Sequence, residues 1–214
     1  MHDERVAAAL LAADAVGFQL HQPITFKSGI VSPVYVDNRR LPFHPKAWHT
    51  VIEAFSHKIR ADLQGVEVIA GVAVGGIPHS AALAYTLHLP SVFVRKEAKG
   101  HGKQQLIEGG EVAQRRVLLI EDLVTTGSSS LAAVEALRAA GAEVMSVLAI
   151  VQYGFAEAAY HFAAAQVPLH TLTNFQVILQ TALRQHLLTE AQAAIIRDWF
   201  DDPHGWAARK GLTL

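Results

Sequence analysis

The chain has 214 residues with a formal net charge of −1 at pH 7, and none of them is cysteine. This length suits one domain with a full hydrophobic core. The near-neutral charge argues against binding nucleic acid or a membrane surface, and the lack of cysteine excludes disulfides and thiolate metal sites. No apolar run is long enough to span a bilayer, and the N-terminus opens with the charged residues Asp3, Glu4 and Arg5. We therefore expect a single cytoplasmic domain, residues 1–214.

The first quarter of the chain predicts two helices around an extended, turn-rich segment. Apolar residues fall on one helical stripe from Glu4 to Leu20, which Gly17 ends or interrupts. Residues 21–42 contain short apolar pieces between turn signals, and Pro45 opens a second helix. The extended segment, about residues 18–42, is predicted to form a small hood over one end of the domain.

The rest of the chain alternates apolar strands with helices. Strands are predicted at residues 66–74, 91–94, 117–122 and 144–151, and helices at residues 81–89, 131–137, 156–165 and 188–200. Because these strands are apolar on both faces, helices are expected to cover both sides of the sheet. The pattern predicts an α/β fold with a mainly parallel central sheet flanked by helices.

The most informative run is residues 117–130, VLLIEDLVTTGSSS. Four apolar residues lead to Glu121 and Asp122 at the end of a predicted strand, where open α/β sheets bind ligands. The turn from Thr125 to Ser129 offers backbone N–H groups and hydroxyls, and the following helix adds the positive end of its dipole. A capped strand-to-helix turn would explain the turn alone, but two buried acids need partners. The run predicts a site for a phosphorylated sugar.

This run resembles the phosphoribosyl diphosphate (PRPP) signature of type I phosphoribosyltransferases. The resemblance implies the fold of that family, with Glu121 and Asp122 holding the ribose hydroxyls and Asp122 among the catalytic residues. It also implies Mg²⁺ as a cofactor that is carried with PRPP near the two acids and has no direct protein ligand. The other implied PRPP contacts are Leu123, Val124, Thr125, Thr126, Gly127, Ser128 and Ser129, of which the last five would hold the 5′-phosphate.

A second, cationic stretch runs from Arg95 to Lys103 and contains two glycines. A charge run of this kind is usually a solvated loop, but its place before the sugar-phosphate motif favours a mobile lid over a diphosphate. The stretch resembles the flexible loop of orotate phosphoribosyltransferases, which completes the active site of the neighbouring subunit. The resemblance implies a homodimer in which Arg95, Lys96, Lys99 and His101 contact the diphosphate, with Lys99 and His101 as catalytic residues.

Two further segments resemble the same family. Residues 26–39 are similar to its N-terminal hood, which implies that Lys27 contacts the substrates and that Tyr35 lies close to the base. Residues 71–78 are similar to its pyrophosphate loop, although a tight turn that begins a helix explains the same residues. The implied pyrophosphate contacts are Val74, Gly75 and Gly76.

The strand after the PRPP-like motif departs from the family pattern. Many orotate enzymes have Asp-Arg near the end of this strand, where the arginine pairs with the orotate carboxylate. Here the sequence reads Gln152-Tyr153-Gly154. Thr125 and the Lys27 region are then the candidates for the carboxylate, and Tyr153 is expected to line the base pocket.

The resemblance implies transfer of ribose 5-phosphate from PRPP to orotate, giving orotidine 5′-phosphate and pyrophosphate in pyrimidine biosynthesis. Two alternatives stay open. The missing arginine is compatible with a phosphoribosyltransferase for a purine or another pyrimidine, and some proteins of this fold sense PRPP without catalysis. The twelve histidines, His79 among them, show no metal-ligand spacing, and Trp48 and Trp199 are expected to pack or form an interface.

Overall fold

A computed structural model describes residues 2–26, 28–97 and 106–212 of the protein. The α-helices of these stretches are α1 (His2–Ala12), α2 (Pro45–Asp62), α3 (Gly76–Leu87), α4 (Ser128–Ala139), α5 (Ala156–Ala164), α6 (Phe175–Arg184), α7 (Glu190–Asp201) and α8 (Trp206–Arg209). The strands are β1 (Val16–Phe18), β2 (Ile24–Thr25), β3 (Val31–Ser32), β4 (Val34–Val36), β5 (Val68–Val72), β6 (Ser91–Val94), β7 (Ile107–Glu108), β8 (Arg116–Val124), β9 (Glu143–Gln152) and β10 (Leu169–Asn174). None of the helices in the described stretches is long and apolar enough to cross a membrane.

The central sheet has six strands in the order β10-β9-β8-β5-β6-β7, parallel except for β7. This confirms the predicted α/β fold with a mainly parallel sheet. After β5 the chain adds β6 on one side, and after β8 it adds β9 and β10 on the other. The order of strands therefore reverses between β5 and β8. Ligands of open α/β sheets bind beyond the carboxyl ends of the strands at such a point.

Alternate residues of β8 contribute to two separate hydrophobic cores. Leu118 and Ile120 join a core with the hood and with helices α1, α2, α3, α6 and α7, on what we call the hood face of the sheet. Val117 and Leu119 join a core with α4 and α5, on the α4 face. Successive side chains of a strand point to opposite faces, so the alternation persists at the two residues that follow Ile120.

The hood segment forms two short antiparallel pairs on the hood face. Strand β1 pairs with β4, with Val16 opposite Val36, and β2 pairs with β3, with Ile24 opposite Ser32. A 3₁₀ helix from Asn38 to Phe43 follows. These pairs are too short to be stable in isolation, so their position depends on side chains from the rest of the domain.

The predicted helix from Glu4 to Leu20 is wrong beyond Ala12. Asp14 has a positive φ of 49°, and the Ala15 N–H returns to the carbonyl of Leu10, which closes the helix. Val16 then pairs in the hood sheet instead of continuing the helix. Pairing with a distant strand outweighs the local helical pattern here, which is the usual reason that propensity fails.

Other elements were missed or misplaced for similar reasons. Helix α3 begins at Gly76, five residues before the predicted start at 81, and residues 107–108 form a strand only through pairing with β6. Helix α6 follows β10 directly and takes its N-cap from Asn174, whose side chain accepts the N–H of Val177. The predictions for β6, β9, α2, α5 and α7 agree with the structure to within two or three residues.

Trp199 fixes helix α7 to the hood and gives a direct test of this packing. It is fully buried, its indole N–H donates to the Val31 carbonyl at 2.8 Å, and its ring contacts Phe155. Trp199→Ala is expected to lower the free energy of unfolding by about 3–5 kcal/mol, because it leaves a cavity and an unpaired carbonyl. Urea denaturation measures the change, with Tyr160→Ala, at a 73% exposed aromatic, as the control. Equal losses in both variants would contradict the assigned packing.

Candidate active site

One cavity of about 840 Å³ opens between the carboxyl ends of β5 and β8 and the hood. It collects every described residue that the sequence singles out for substrate binding, apart from Gly76. These lining residues are Tyr35, Val74, Gly75, Arg95, Lys96, Glu121, Asp122, Leu123, Val124, Thr125, Thr126, Gly127, Ser128, Ser129 and Tyr153. Lys27, Lys99 and His101 lie outside the described residues.

Glu121 lies on the α4 face and is almost fully buried. Its carboxylate accepts hydrogen bonds from Ser130 Oγ at 3.0 Å, from Ser129 Oγ at 3.3 Å and from the Asp122 N–H at 3.1 Å. Burial raises the pKa of the Glu121 carboxyl well above its ordinary value, and the nearby Asp122 carboxylate raises it further. Glu121 thus ties the start of α4 to the end of β8.

Asp122 lies on the opposite, hood face and is only partly buried. Its carboxylate packs against Gly75, where a Cβ atom would collide with it. Its backbone carbonyl accepts a hydrogen bond from Asn38 Nδ2 at 2.6 Å, which connects the hood to β8. Of the two acids, Asp122 is therefore the one that presents its side chain to the part of the cavity between hood and sheet.

The turn after β8 has the geometry of an anion site. Gly127 has a φ of 87°, and a Cβ atom there would lie 2.8 Å from the ring of Phe162, so glycine is required. Helix α4 begins at Ser128, and no described side chain caps it. Its first N–H groups therefore face the cavity with the positive end of the helix dipole, which is a common phosphate-binding arrangement. Thr126 and Ser128 add hydroxyls that lie 3.0 Å apart.

The turn after β5 packs closely against β8. A Cβ atom on Gly76 would lie 2.6 Å from the Ile120 carbonyl, so Gly76 serves the approach of the turn to the strand and does not line the cavity. Val74 is 73% exposed and lines the cavity, and the Ala73–Val74 peptide is cis. This segment is thus a tight turn into α3 and also a wall of the cavity.

Arg95 and Lys96 stand at the wall of the cavity after β6. Arg95 Nη1 is 2.9 Å from Glu108 Oε1 on β7, and this ion pair is partly buried. Lys96 is exposed. The ion pair holds the guanidinium of Arg95 at the cavity, where it adds positive charge without being free to move away.

Aromatic side chains form the opposite end of the cavity. Tyr153 is buried, and its ring centroid lies 5.5 Å from those of Phe26 and Phe155 and 5.8 Å from that of Trp199. Burial raises the pKa of the Tyr153 phenol. Its hydroxyl has no hydrogen-bond partner among the described residues, so a polar atom remains available within an apolar wall.

Tyr35 borders this aromatic end from the hood. Its hydroxyl lies 3.2 Å from Nη2 of Arg39, whose guanidinium also binds both carboxylate oxygens of Asp37. The Arg39 guanidinium holds the pKa of the Asp37 carboxyl below its ordinary value. The hood thus carries a cation next to Tyr35.

Known proteins are similar to this chain in both sequence and architecture. Residues 43–161 match the phosphoribosyl transferase domain. The orotate phosphoribosyltransferase of Bacillus caldolyticus is 42% identical over 207 residues, which cover 97% of this chain and 99% of that protein. This chain belongs to the orotate phosphoribosyltransferases.

Solved structures of the family agree with the fold. The orotate phosphoribosyltransferase of Aeropyrum pernix superposes with a TM-score of 0.74 at 31% identity, covering 86% of this chain and 99% of that one. That of Mycobacterium tuberculosis H37Rv, solved in complex with PRPP, superposes with a TM-score of 0.64 at 27% identity, covering 82% and 98%. The type I phosphoribosyltransferase fold expected from the motifs is thus confirmed.

Three residues near Asp122 and Glu121 were missed from the sequence. Ser130 follows the predicted phosphate turn directly, and the buried carboxylate before it was the signal for a further hydroxyl partner. Asn38 lies within the hood segment, but its contact with a strand 84 residues away leaves no local pattern. His79 has no distinguishing pattern among the twelve histidines, yet it is fully buried and interacts with Asp122.

The buried carboxyl of Glu121 predicts a specific dependence of stability on pH. Its raised pKa means that the folded state binds this proton more tightly than the unfolded chain does. Unfolding free energy is then lost as pH rises from the unfolded pKa, about 4.3, through the raised folded pKa. Glu121→Gln imitates the protonated carboxyl and has no proton to lose. Its free energy of unfolding, relative to that of the wild type, should therefore rise by about 1 kcal/mol or more between pH 5 and pH 8.

Urea denaturation at the two pH values measures this difference. Glu135→Gln, at an exposed glutamate of α4, is the matched control and should show no such gain. If the difference in unfolding free energy between Glu121→Gln and the wild type is the same at both pH values, the fold does not raise this pKa.

Proposed function

We propose that this chain transfers ribose 5-phosphate from PRPP to orotate and releases pyrophosphate, giving orotidine 5′-phosphate. One observation carries the proposal: a single cavity joins an uncapped helix start, a carboxylate, a close glycine turn and an aromatic pocket. These four features suit, in turn, the 5′-phosphate, the ribose, the diphosphate and the base. Membership of the orotate phosphoribosyltransferases supports the same reaction.

The 5′-phosphate is proposed to bind the turn from Thr125 to Ser129. Backbone N–H groups at the start of α4 and the hydroxyls of Thr126 and Ser128 would be its donors. Asp122 would accept hydrogen bonds from the ribose hydroxyls. Glu121 would hold the serines of the turn in place, and it can reach a ribose hydroxyl only by exchanging one of its present partners.

The reaction forms a bond from a base nitrogen to the anomeric carbon while the bond from that carbon to the diphosphate oxygen breaks. The departing diphosphate takes the bonding electron pair, so cations near it lower the barrier. Arg95 and Lys96 stand at the cavity wall for this role. Lys99 and His101 of the proposed lid would add charge, and His101, with its near-neutral intrinsic pKa, could also supply a proton.

The base is proposed to bind at the aromatic end of the cavity. Tyr35 and Tyr153 would border it, and the apolar wall would keep water from the ribosyl cation. The carboxylate of orotate requires a donor in place of the family arginine. The candidates are Lys27, Thr125 and the unpartnered hydroxyl of Tyr153.

We propose that Mg²⁺ enters with PRPP. No cluster of three or more His, Cys, Asp or Glu suited to a metal exists among the described residues. Mg²⁺ commonly keeps several waters and binds substrate phosphates. It would be carried by PRPP near Glu121 and Asp122, with no direct protein ligand, and would neutralise charge on the diphosphate.

Turnover tests the proposed reaction and its base. With PRPP and Mg²⁺, the protein should consume orotate absorbance and release an equal amount of pyrophosphate. Uracil, adenine and hypoxanthine, each supplied in place of orotate, should give no turnover, because they lack the carboxylate. Turnover with one of these bases but not with orotate would overturn the specificity and keep the reaction class. Binding of PRPP without turnover of any base would instead favour a PRPP sensor.

We propose that the protein is a homodimer in which the lid of one subunit serves the site of the other. The similarity of residues 95–103 to the family loop supports this. Two exposed aromatic side chains, Phe43 at 86% and Tyr85 at 84%, also give the described surface apolar area for an interface.

Mixing two inactive variants tests the shared site. Lys99→Ala removes a lid cation and Asp122→Asn removes the ribose carboxylate. In a shared-site dimer, a mixed dimer contains one site with neither change, so an equal mixture should recover about a quarter of wild-type activity. Unmixed parents taken through the same procedure are the control. If mass spectrometry shows mixed dimers and the mixture is still as inactive as the parents, the lid covers the site of its own subunit.

The cytoplasmic location remains a proposal that rests on the composition. Fractionation of cells, followed by assay of orotate turnover, checks it. Activity in a membrane or exported fraction would contradict it.

A further inference from the structure

His79, on helix α3, is fully buried next to Asp122. Its Nδ1 accepts a hydrogen bond from the indole N–H of Trp48 at 3.0 Å. A nitrogen that accepts this bond carries no proton, so the neutral ring must carry its proton on Nε2. Burial lowers the pKa of His79 to about 4, and the ring is therefore neutral at physiological pH. Trp48 thus fixes which nitrogen of His79 can donate.

Two buried polar atoms near Asp122 are without partners among the described residues. One is Nε2 of His79, a donor, and the other is Oδ1 of Asn38, an acceptor. The Asp122 carboxylate and a hydrogen-bond contact with the Asn38 backbone both raise the pKa of His79 against the effect of burial, so the Asn38 carbonyl faces the ring. An unpaired buried donor is costly, and this carbonyl is the acceptor at hand for the proton on Nε2.

We propose that His79 is a positioning residue that donates from Nε2 to the backbone carbonyl of Asn38. Asn38 in turn donates from Nδ2 to the Asp122 carbonyl, at 2.6 Å already in this structure. The hydrogen bonds then run in one direction, from Trp48 through His79 and Asn38 to Asp122. They connect helix α2, helix α3, the hood and strand β8.

This chain of bonds restrains the residue that is proposed to hold the ribose. The Asp122 carboxylate already packs on Gly75, and its carbonyl is held by Asn38. Holding the backbone of Asn38 through His79 restrains that contact, and it fixes the start of the 3₁₀ helix of the hood relative to the sheet. The consequence is a preformed site for PRPP, which loses less conformational freedom on binding.

The kinetic test uses the full-length protein and the transferase activity proposed above, on which this part of the inference rests. His79→Leu should raise the KM for PRPP about five- to tenfold, as expected for one buried hydrogen bond, with a smaller change in kcat. His79→Gln retains a donor near the position of Nε2 and should recover most of the loss. His49→Leu, at an exposed histidine of α2, is the control and should leave KM unchanged.

The spectroscopic test does not depend on activity. In ¹⁵N-histidine-labelled protein, the signals missing from His79→Gln belong to His79. They should report a proton on Nε2 alone and no titration between pH 6 and pH 9, with and without PRPP. Trp48→Phe removes the donor to Nδ1 and should give a mixture of both tautomers, together with part of the rise in KM.

Three results would overturn the proposal. One is a His79 signal with the proton on Nδ1. Another is a His79→Leu variant that loses thermal stability but keeps the wild-type KM for PRPP in its folded fraction. The third is a His79→Gln variant no better than His79→Leu in KM. Absence of any turnover, with the expected tautomer present, would overturn the proposed reaction and leave the hydrogen-bonded chain in place.

Discussion

The alternation of side chains along β8 is the constraint on which the site depends. Glu121 and Asp122 are adjacent, so the strand sends one to the α4 face and the other to the hood face. Glu121 enters the region under the phosphate turn, where Ser129 and Ser130 surround it. Asp122 enters the space between hood and sheet, where it contacts Gly75. Two consecutive acidic residues thereby take different roles because their side chains lie on opposite faces of the sheet.

The burial of Glu121 explains why the turn contains consecutive serines. An isolated buried carboxylate would be strongly destabilising, and it is retained only with hydrogen-bond donors around it. Those donors come from the first turn of α4, the same turn whose backbone N–H groups face the cavity. The interaction that compensates the buried acid thus also fixes the orientation of the proposed phosphate site. Loss of the acid and loss of the site geometry are physically linked.

The second constraint is the close approach of the turn after β5 to β8. Strand β5 pairs with β8 only as far as Ile120, so the sheet opens at the next residue on that side. Gly75 and Gly76 fill this opening with backbone, against the Asp122 carboxylate and the Ile120 carbonyl. A side chain at position 76 would push the turn away from the strand, and one at position 75 would displace the Asp122 carboxylate. The cavity is therefore bounded by two loops that meet because the order of strands reverses between them.

The sequence predicted the parts of the site that depend on neighbours in the chain. The run from Val117 to Ser129 contains its own strand, acids and turn, so its chemistry was readable without a structure. The hood strands, β7 and the contact from Asn38 to Asp122 depend on residues far away in sequence, and no local period encodes them. The different faces of Glu121 and Asp122 follow from simple alternation, but only the two cores show which face meets which helix.

The distribution of polarity along the cavity decides how the proposed substrates must lie. At one end are uncapped N–H groups and hydroxyls, and at the wall are Arg95 and Lys96. At the other end Tyr153 is packed among Phe26, Phe155 and Trp199, with only its hydroxyl left unpaired. A phosphate placed at the aromatic end would lose its hydration without gaining donors, whereas a planar base there gains stacking contacts. The reversed orientation is thus excluded by desolvation alone. Tyr153 brings no charge to this end, so a base carboxylate bound there, as proposed, would depend on neutral donors and on cations of the hood.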